Sequence, residues 1–454
     1  MKKTLPTTLL ITTIIIGLTL NNYAHFTLAQ TGTNISGIIN TNTTWTKTNS
    51  PYNLTGPTAV NNGVTLTIEA GATVNLNGHD LEVDGVLLAR GSAINPIRIY
   101  GTSGSETIYI GNAECIIQNA IFNGNIFVSV VGNPIISNNN ILGSITFGTG
   151  GNPVVCNNTI TSPTSGAFAG INFGAGNATI SNNTISGFKQ GIHSERTRYT
   201  AAVDYGQGIR HIEVTTKPVF SNNTISACTN GIYAESSEAI FSNNTITNCP
   251  IGIRVAEGNN MDLCIQTNLI MRNDEGILLL SGARIYNNTI TNNSNGIHIG
   301  NGMVTLDITH NNIYGNSNYN IYSSASNDLN CRNNWWGTTD NQAINQTIYD
   351  FKEDFTLGTV TFTPFLNTPN SAAPAMPTPA PTPTPSPIPM STSTPNQSPI
   401  QSPSQYPTSS PEPSSTQTTT QPEATGIEVA ILALLIVIAA LLTVYIALVL
   451  KKKR

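Results

Sequence analysis

Short apolar runs separated by polar turns follow one another with a fixed rhythm through most of this chain of 454 residues. The clearest case is Val219 to Ile246, VFSNNTISACTNGIYAESSEAIFSNNTI, which states one pattern twice. Phe220, Asn223 and Ile225 recur as Phe241, Asn244 and Ile246, and Gly231-Ile232 recurs as Gly252-Ile253, a period of 21 residues. The frame is an Asn with an apolar residue three before it and two after it. It falls at Asn119, Asn139, Asn158, Asn183, Asn223, Asn244, Asn268, Asn288, Asn311 and Asn334, in steps of 20, 19, 25, 40, 21, 24, 20, 23 and 23 residues. The step of 40 marks a coil that has lost the frame or been expanded by an insertion. Further upstream, from Ile35 to Ile99, apolar and polar positions alternate, with Gly71, Gly78, Gly85 and Gly91 between the runs. Period two with regular Gly predicts successive strands and turns, and no stretch between Gln30 and Leu366 carries a helical stripe.

A unit of this length with three short strands cannot close a core of its own, so the units must stack into a solenoid. Phe220, Ile225 and Ile232 are predicted to point inward and to stack on their counterparts one coil away. The frame Asn is predicted to sit in a turn, where it tolerates a left-handed backbone and bonds to the main chain or to the next Asn of the stack. Such an amide ladder satisfies polar groups that are costly to bury. With coils about 4.8 Å apart, eleven coils from Asn119 to Asn334 make a rod of about 50 Å. Neither the unit length of a β-propeller nor the leucine frame of a leucine-rich repeat fits.

The NNTI...GI frame resembles the repeat of the right-handed parallel β-helix in the pectin-lyase-like superfamily, and is similar to the surface proteins grouped with NosD-like periplasmic proteins. SPYNLTGPTAVNNGVTLTIEAGATVNLNG, from Ser50 to Gly78, resembles the first coils of those proteins. NNWWGTTD, from Asn333 to Asp340, and GTVTFTPFL, from Gly358 to Leu366, resemble their last coil and exit strand. The resemblance implies an all-β right-handed parallel β-helix placed outside the membrane and leaves the activity open, because one scaffold hosts many functions.

The ends of the chain read differently. Lys2 and Lys3 precede an apolar run from Leu9 to Leu20, so residues 1–29 read as an export signal. The β-helix is expected over 30–366. A Pro-, Thr- and Ser-rich segment over 367–426 cannot bury enough surface to fold and reads as a stiff stalk. Residues 427–450 read as one transmembrane helix, because Val429–Leu450 is uncharged and spans about 33 Å as a helix. The basic tail 451–454 places the C-terminus in the cytoplasm and the rod at the cell surface. A charged fraction of 9% and a formal net charge of -5 give no basis for a nucleic-acid partner.

Candidate chemistry is sparse. Cys228 and Cys249 each lie five residues after a frame Asn and should stack one coil apart, within reach of a disulfide; the bland alternative is two buried thiols. Asn157, Asn182, Asn222, Asn243 and Asn287 begin Asn-Asn-Thr sequons, with further sequons at Asn34, Asn42, Asn53, Asn177, Asn292 and Asn345, although turn chemistry alone produces the motif. The His and Met residues form no cluster, so no metal or other cofactor is expected. Ionisable residues gather inside the step of 40: His193, Glu195, Arg196, Arg198, Tyr199, Asp204, Tyr205, Arg210, His211 and Glu213. Such a loop could bind a sugar or supply acid and base groups, or be a self-paired excursion. Asp80, Glu82 and Asp84 share one strand face at about 6.6 Å intervals, a spacing that suits Ca2+ or paired carboxylates as well as a plain wet face. The catalytic motifs of polygalacturonases, C5-epimerases and pectate lyases are absent. Two functions stand: a membrane-anchored structural, adhesive or glycan-binding surface protein, or a tethered polysaccharide lyase, hydrolase or epimerase.

Overall fold

The computed structural model describes residues 32–377, apart from 112–113, 130–132, 165, 196–197, 205–208, 236–237, 259–261 and 302–305; for 149, 198–204 and 209–213 it gives the course of the backbone. The expected export signal, transmembrane helix and basic tail, and the stalk beyond 377, lie outside the described residues. Among the described residues no helix is long and apolar enough to cross a membrane.

Each coil lays three short strands on three faces. In one coil these are Val219–Ser221, Thr224–Ser226 and Asn230–Ala234. They pair in parallel with Ile240–Ser242, Thr245–Thr247 and Ile251–Val255 of the next coil. The first face is a sheet of twelve strands. The second and third faces join into one sheet of 25 strands, because Tyr52–Val60 pairs with both near the N-terminal end. The register is in phase with the repeat: Phe220 lies opposite Phe241, Ile225 opposite Ile246 and Ile232 opposite Ile253. All six are fully buried, and the two Phe rings stack at 5.1 Å. Period-two alternation sends each strand's apolar residues into one continuous core and its polar residues out.

The paired asparagines divide the turn between them. The first of each pair takes the left-handed backbone, as at Asn222 (φ 56°) and Asn243 (φ 54°), where Asn is the non-glycine residue best suited. The second is the buried rung. Asn244 Nδ2 donates to Asn268 Oδ1 (3.0 Å) and to the Phe220 carbonyl (2.9 Å), while its own Oδ1 accepts from Asn223. This chain of bonds runs from Asn139 to Asn334 through every frame Asn between. The expectation that one Asn does both jobs is thereby corrected, and Asn119 is not a rung. It holds the left-handed position (φ 50°), and the rung position belongs to Ala120, whose N–H donates to Asn139 Oδ1. The double Ile116-Ile117 and Ile121-Phe122 fits two frames one residue apart, and the structure buries Ile117 and Phe122.

A second ladder, five residues after the first, lies in the turn between the second and third faces. Asn273, Asn293 and Asn316 bond in series. Cys249 occupies the same position, its N–H donating to Asn273 Oδ1, with Cys228 one coil before it. Both cysteines are buried free thiols, so the bridge that the spacing allows is not formed; Cys228 Sγ donates instead to the Ser226 carbonyl. The recurrent glycine before each third-face Ile is explained by close stacking: a Cβ on Gly252 would stand 2.5 Å from the Gly276 carbonyl oxygen, and one on Gly276 would stand 2.4 Å from that of Gly296.

The step of 40 is one coil with an insertion, since Thr184–Ser186 pairs directly with Thr224–Ser226. The insertion is an antiparallel hairpin of Arg198–Asp204 and Ile209–Thr215. At the C-terminal end a five-residue helix, Asn341–Asn345, is capped by Asp340 and buries Ile344; it is too short to leave a helical stripe in the sequence. Val360–Thr361 then pairs with Leu329–Asn330 as the exit strand. The chain does not leave the rod at Leu366. It turns back along the paired-Asn edge, where Asn370 bonds to Asn312, Asn287 and the His310 carbonyl and Thr289 Oγ1 donates to the Pro374 carbonyl.

Candidate functional site on the third face

In-register pairing on the third face produces one unbroken outward row along the rod. Its N-terminal part is Ile38, Ala59, Glu82, Tyr109 and Phe127. Thr146 follows, and then the central part, Asn172, His193, Tyr233 and Arg254. It ends with Leu278, His298, Tyr322 and Tyr349. A second outward row beside it carries Gln190, Asn230, Ile251, Glu275, Asn295 and Tyr319. Neighbours in a row are far apart in sequence and one strand spacing apart in space, about 4.8 Å.

The centre of the row is built around His193, 6% exposed. Phe168, from the loop that lengthens the preceding coil, meets the imidazole edge-on at 5.5 Å, and Tyr233 lies on the other side at 5.2 Å. Glu235 Oε2 is 3.4 Å from Nε2 and Glu195 Oε1 is 3.9 Å from Nδ1. The alignment leaves both ring nitrogens without a hydrogen bond. Burial pushes the imidazole pKa down and outweighs the upward pull of the two carboxylates, so the neutral ring is favoured. Arg254 lies over the Tyr233 ring at 5.8 Å, a cation–π arrangement. Next to Asn172 a recess of about 100 Å³ opens between Thr146, Pro163, Phe168 and Phe188.

Hydrogen-bonding atoms without a partner concentrate here. Asn172 Oδ1, Gln190 Oε1, both nitrogens of His193, Asn230 Oδ1, Arg254 Nε, Glu275 Oε2 and Asn295 Oδ1 are all covered by neighbouring atoms and bonded to none. Buried polar groups left unpaired cost about 1–3 kcal/mol each, so a folded chain rarely gathers them without reason.

Of the charged residues expected at the expanded coil, the structure brings His193 and Glu195 to this centre. Arg198, Tyr199 and Asp204 fall on the first strand of the hairpin, and Arg210, His211 and Glu213 on the second. Arg196 and Tyr205 lie outside the described residues. Residues that sequence reading did not single out complete the centre: Phe168, Asn172, Tyr233, Glu235 and Arg254. The residue after each Gly-Ile pair was a signal for the row, since it is His193, Tyr233, Arg254 and His298 in four of the coils.

The acidic run at 79–84 borders a groove of about 870 Å³ at the N-terminal end of the row, with Thr58, His79, Glu82, Asp84 and Tyr109 among its walls. Asp80 is engaged in the fold, its Oδ1 accepting from Thr107 N–H at 2.7 Å. Among the described residues no group of three or more His, Cys, Asp or Glu side chains is placed to hold a metal ion.

Residues 170–336 match the family model described as a right handed beta helix region. No curated protein and no solved structure gives a significant match. Three parallel faces repeated coil upon coil make the fold a right-handed parallel β-helix, and the matched residues include His193, Tyr233, Glu235 and Arg254 at the centre of the row.

Proposed function

We propose that the outward row of the third face is a carbohydrate-binding surface, and that the protein is a membrane-anchored, exported rod that presents this surface to glycans outside the cell. The observation that carries the reading is the concentration of unpartnered polar atoms on two adjacent rows that also carry Tyr109, Phe127, His193, Tyr233, Tyr319, Tyr322 and Tyr349. Most of these atoms are acceptors; they are covered in the free protein, and side-chain rotation along the rows would turn them to a ligand rich in donors. Sugar hydroxyls supply them, and the apolar face of a sugar ring packs on aromatic side chains. Export and anchoring rest on the apolar segments near the two ends of the sequence.

A second reading, catalysis on a bound polysaccharide, is favoured by His193. A neutral imidazole beside two carboxylates, Glu195 and Glu235, can take up a proton from a substrate. A glycan array probed with the wild-type protein and with His193→Ala and Tyr233→Ala tests the first reading: glycan binding undiminished in both variants overturns the assignment of the site. Release of reducing ends or unsaturated sugars from the bound glycan, abolished by His193→Ala, marks the second.

A further inference from the structure

The His193 arrangement has a counterpart further along the same face. His298 stands four strands beyond His193 in the row, through Tyr233, Arg254 and Leu278, so about 19 Å separates them. His298 Nδ1 lies 3.5 Å from Glu275 Oε1, as His193 lies beside Glu235. The same Glu275 oxygen accepts from Asn295 Nδ2 at 3.0 Å, which leaves Glu275 Oε2 and Asn295 Oδ1 unpartnered on adjacent strands. Aromatic rings border this pair. Tyr322 meets His298 edge-on at 4.7 Å and stacks on Tyr349 at 4.6 Å, and Tyr319 lies 5.8 Å from Tyr322 and 5.4 Å from Tyr349. Three tyrosine rings gathered at the wet face of a β-helix are not explained by the core, which is filled by Ile297, Ile321 and Ile348 beneath them.

We propose that Glu275, Asn295, His298, Tyr319, Tyr322 and Tyr349 form a second sugar-binding site, which takes a neutral, hydroxyl-rich unit of the same extended polymer that engages His193. The proposal rests on the carbohydrate reading of the face. The ligand class follows from charge and donor count. The unpartnered atoms are a carboxylate oxygen and an amide oxygen, both acceptors that a side-chain rotation would uncover, and between Glu275 and Tyr349 the two rows carry no Lys or Arg. A uronic or sulfated unit would meet Glu275 with like charge, whereas a neutral hexose offers hydroxyl donors to both oxygens and a ring face to the tyrosines. Two sites on one rigid face make the second contact intramolecular, which raises affinity by about 10²–10⁴ for a chain long enough to span them.

The test is chain-length dependence. Full-length protein in detergent micelles is titrated with neutral β-linked glucan oligomers of increasing length, with oligogalacturonates as the acidic counterpart. Wild type is expected to gain at least about 10²-fold in affinity once the oligomer spans about 19 Å, with no such step for the acidic series. Glu275→Gln with Tyr322→Ala is expected to remove the step and leave short-oligomer binding at His193 unchanged; circular dichroism confirms that the variant is folded. A step that persists in the folded variant, or no step in wild type that binds short oligomers, overturns the second site alone. A step in the acidic series only overturns the ligand class. Absence of binding to any oligomer overturns the second site together with the reading of the face; short-oligomer binding left after His193→Ala is expected to vanish when Glu275→Gln and Tyr322→Ala are added, and binding that survives all three changes overturns the reading of the face.

Discussion

Replacing Asn244 by Ala removes one rung from the middle of the ladder. The carboxamide makes four bonds: Nδ2 to the Phe220 carbonyl and to Asn268 Oδ1, and Oδ1 from the N–H and the Nδ2 of Asn223. Asn244 is 1% exposed, so water cannot take over these roles without opening the turn. Asn223 N–H and the Phe220 carbonyl lose their side-chain partner inside the core, and at about 1–3 kcal/mol for each orphaned group the expected loss is about 2–6 kcal/mol. Asn243, one residue earlier, has an exposed side chain and holds only the left-handed turn; Asn243→Ala therefore costs about 1–2 kcal/mol, the strain of Ala in that region. Urea unfolding followed by circular dichroism compares the two variants, and hydrogen exchange of the amides from 220 to 270 shows whether the loss is local to the coil. A stacked array need not unfold in one step, so the midpoint difference between the paired variants is the informative quantity. Equal midpoints for Asn243→Ala and Asn244→Ala would refute the division of labour within the Asn-Asn pair.

Other consequences are as direct. Gly252→Ala forces a methyl group against the Gly276 carbonyl and is expected to cost about 1–3 kcal/mol in the same urea assay. The His193 ring should titrate below 6.5 in the folded protein by NMR. Because its folded pKa is depressed, the unfolded chain takes up the proton first, so this residue's contribution to stability is complete above pH 6.5 and is lost as pH falls from there towards the folded value; His193→Asn should flatten that dependence. The buried thiols should resist alkylation until the protein unfolds. Cys331, with no exposed surface and its pKa pushed up to about 12 by burial, should be among the slowest, and peptide mapping without reductant should find Cys228 and Cys249 unlinked. Asn370→Ala should release the returning tail and speed proteolysis between 366 and 377, with hydrogen exchange unchanged in the coils before Asn244.

The repeat made the coil legible because one coil's residues answer to three demands that recur at every period: an inward Ile, a left-handed turn and an amide rung. Asn244 and Ile246 satisfy the last and first of these wherever they recur. The second ladder was hidden, because Phe188, Cys228 and Cys249 take its positions in consecutive coils and only later do Asn273, Asn293 and Asn316 reveal an amide chain. Asn119 misled for the opposite reason, a doubled apolar pair that suits two frames. The candidate site was least legible. His193 and Glu195 were visible as charges in a poor neighbourhood, but Phe168, Tyr233 and Glu235 are brought to them by register across coils, with 40 residues between His193 and Tyr233. Outward positions obey no common packing rule, so their chemistry emerges only when the rows are assembled in space.

The returning tail also decides how the rod bears load. A pull applied beyond residue 377 reaches first the bonds that Asn370 and Pro374 make along the paired-Asn edge, and only after these part does it reach the exit strand at Val360–Thr361. The bonds lie on successive coils, from Asn312 back to Thr289, so a pull directed along the stack meets them in shear instead of peeling the last coil from its end. The tail acts as a strain relief for the solenoid, keeping the cap formed by Asn341–Asn345 out of the path of force.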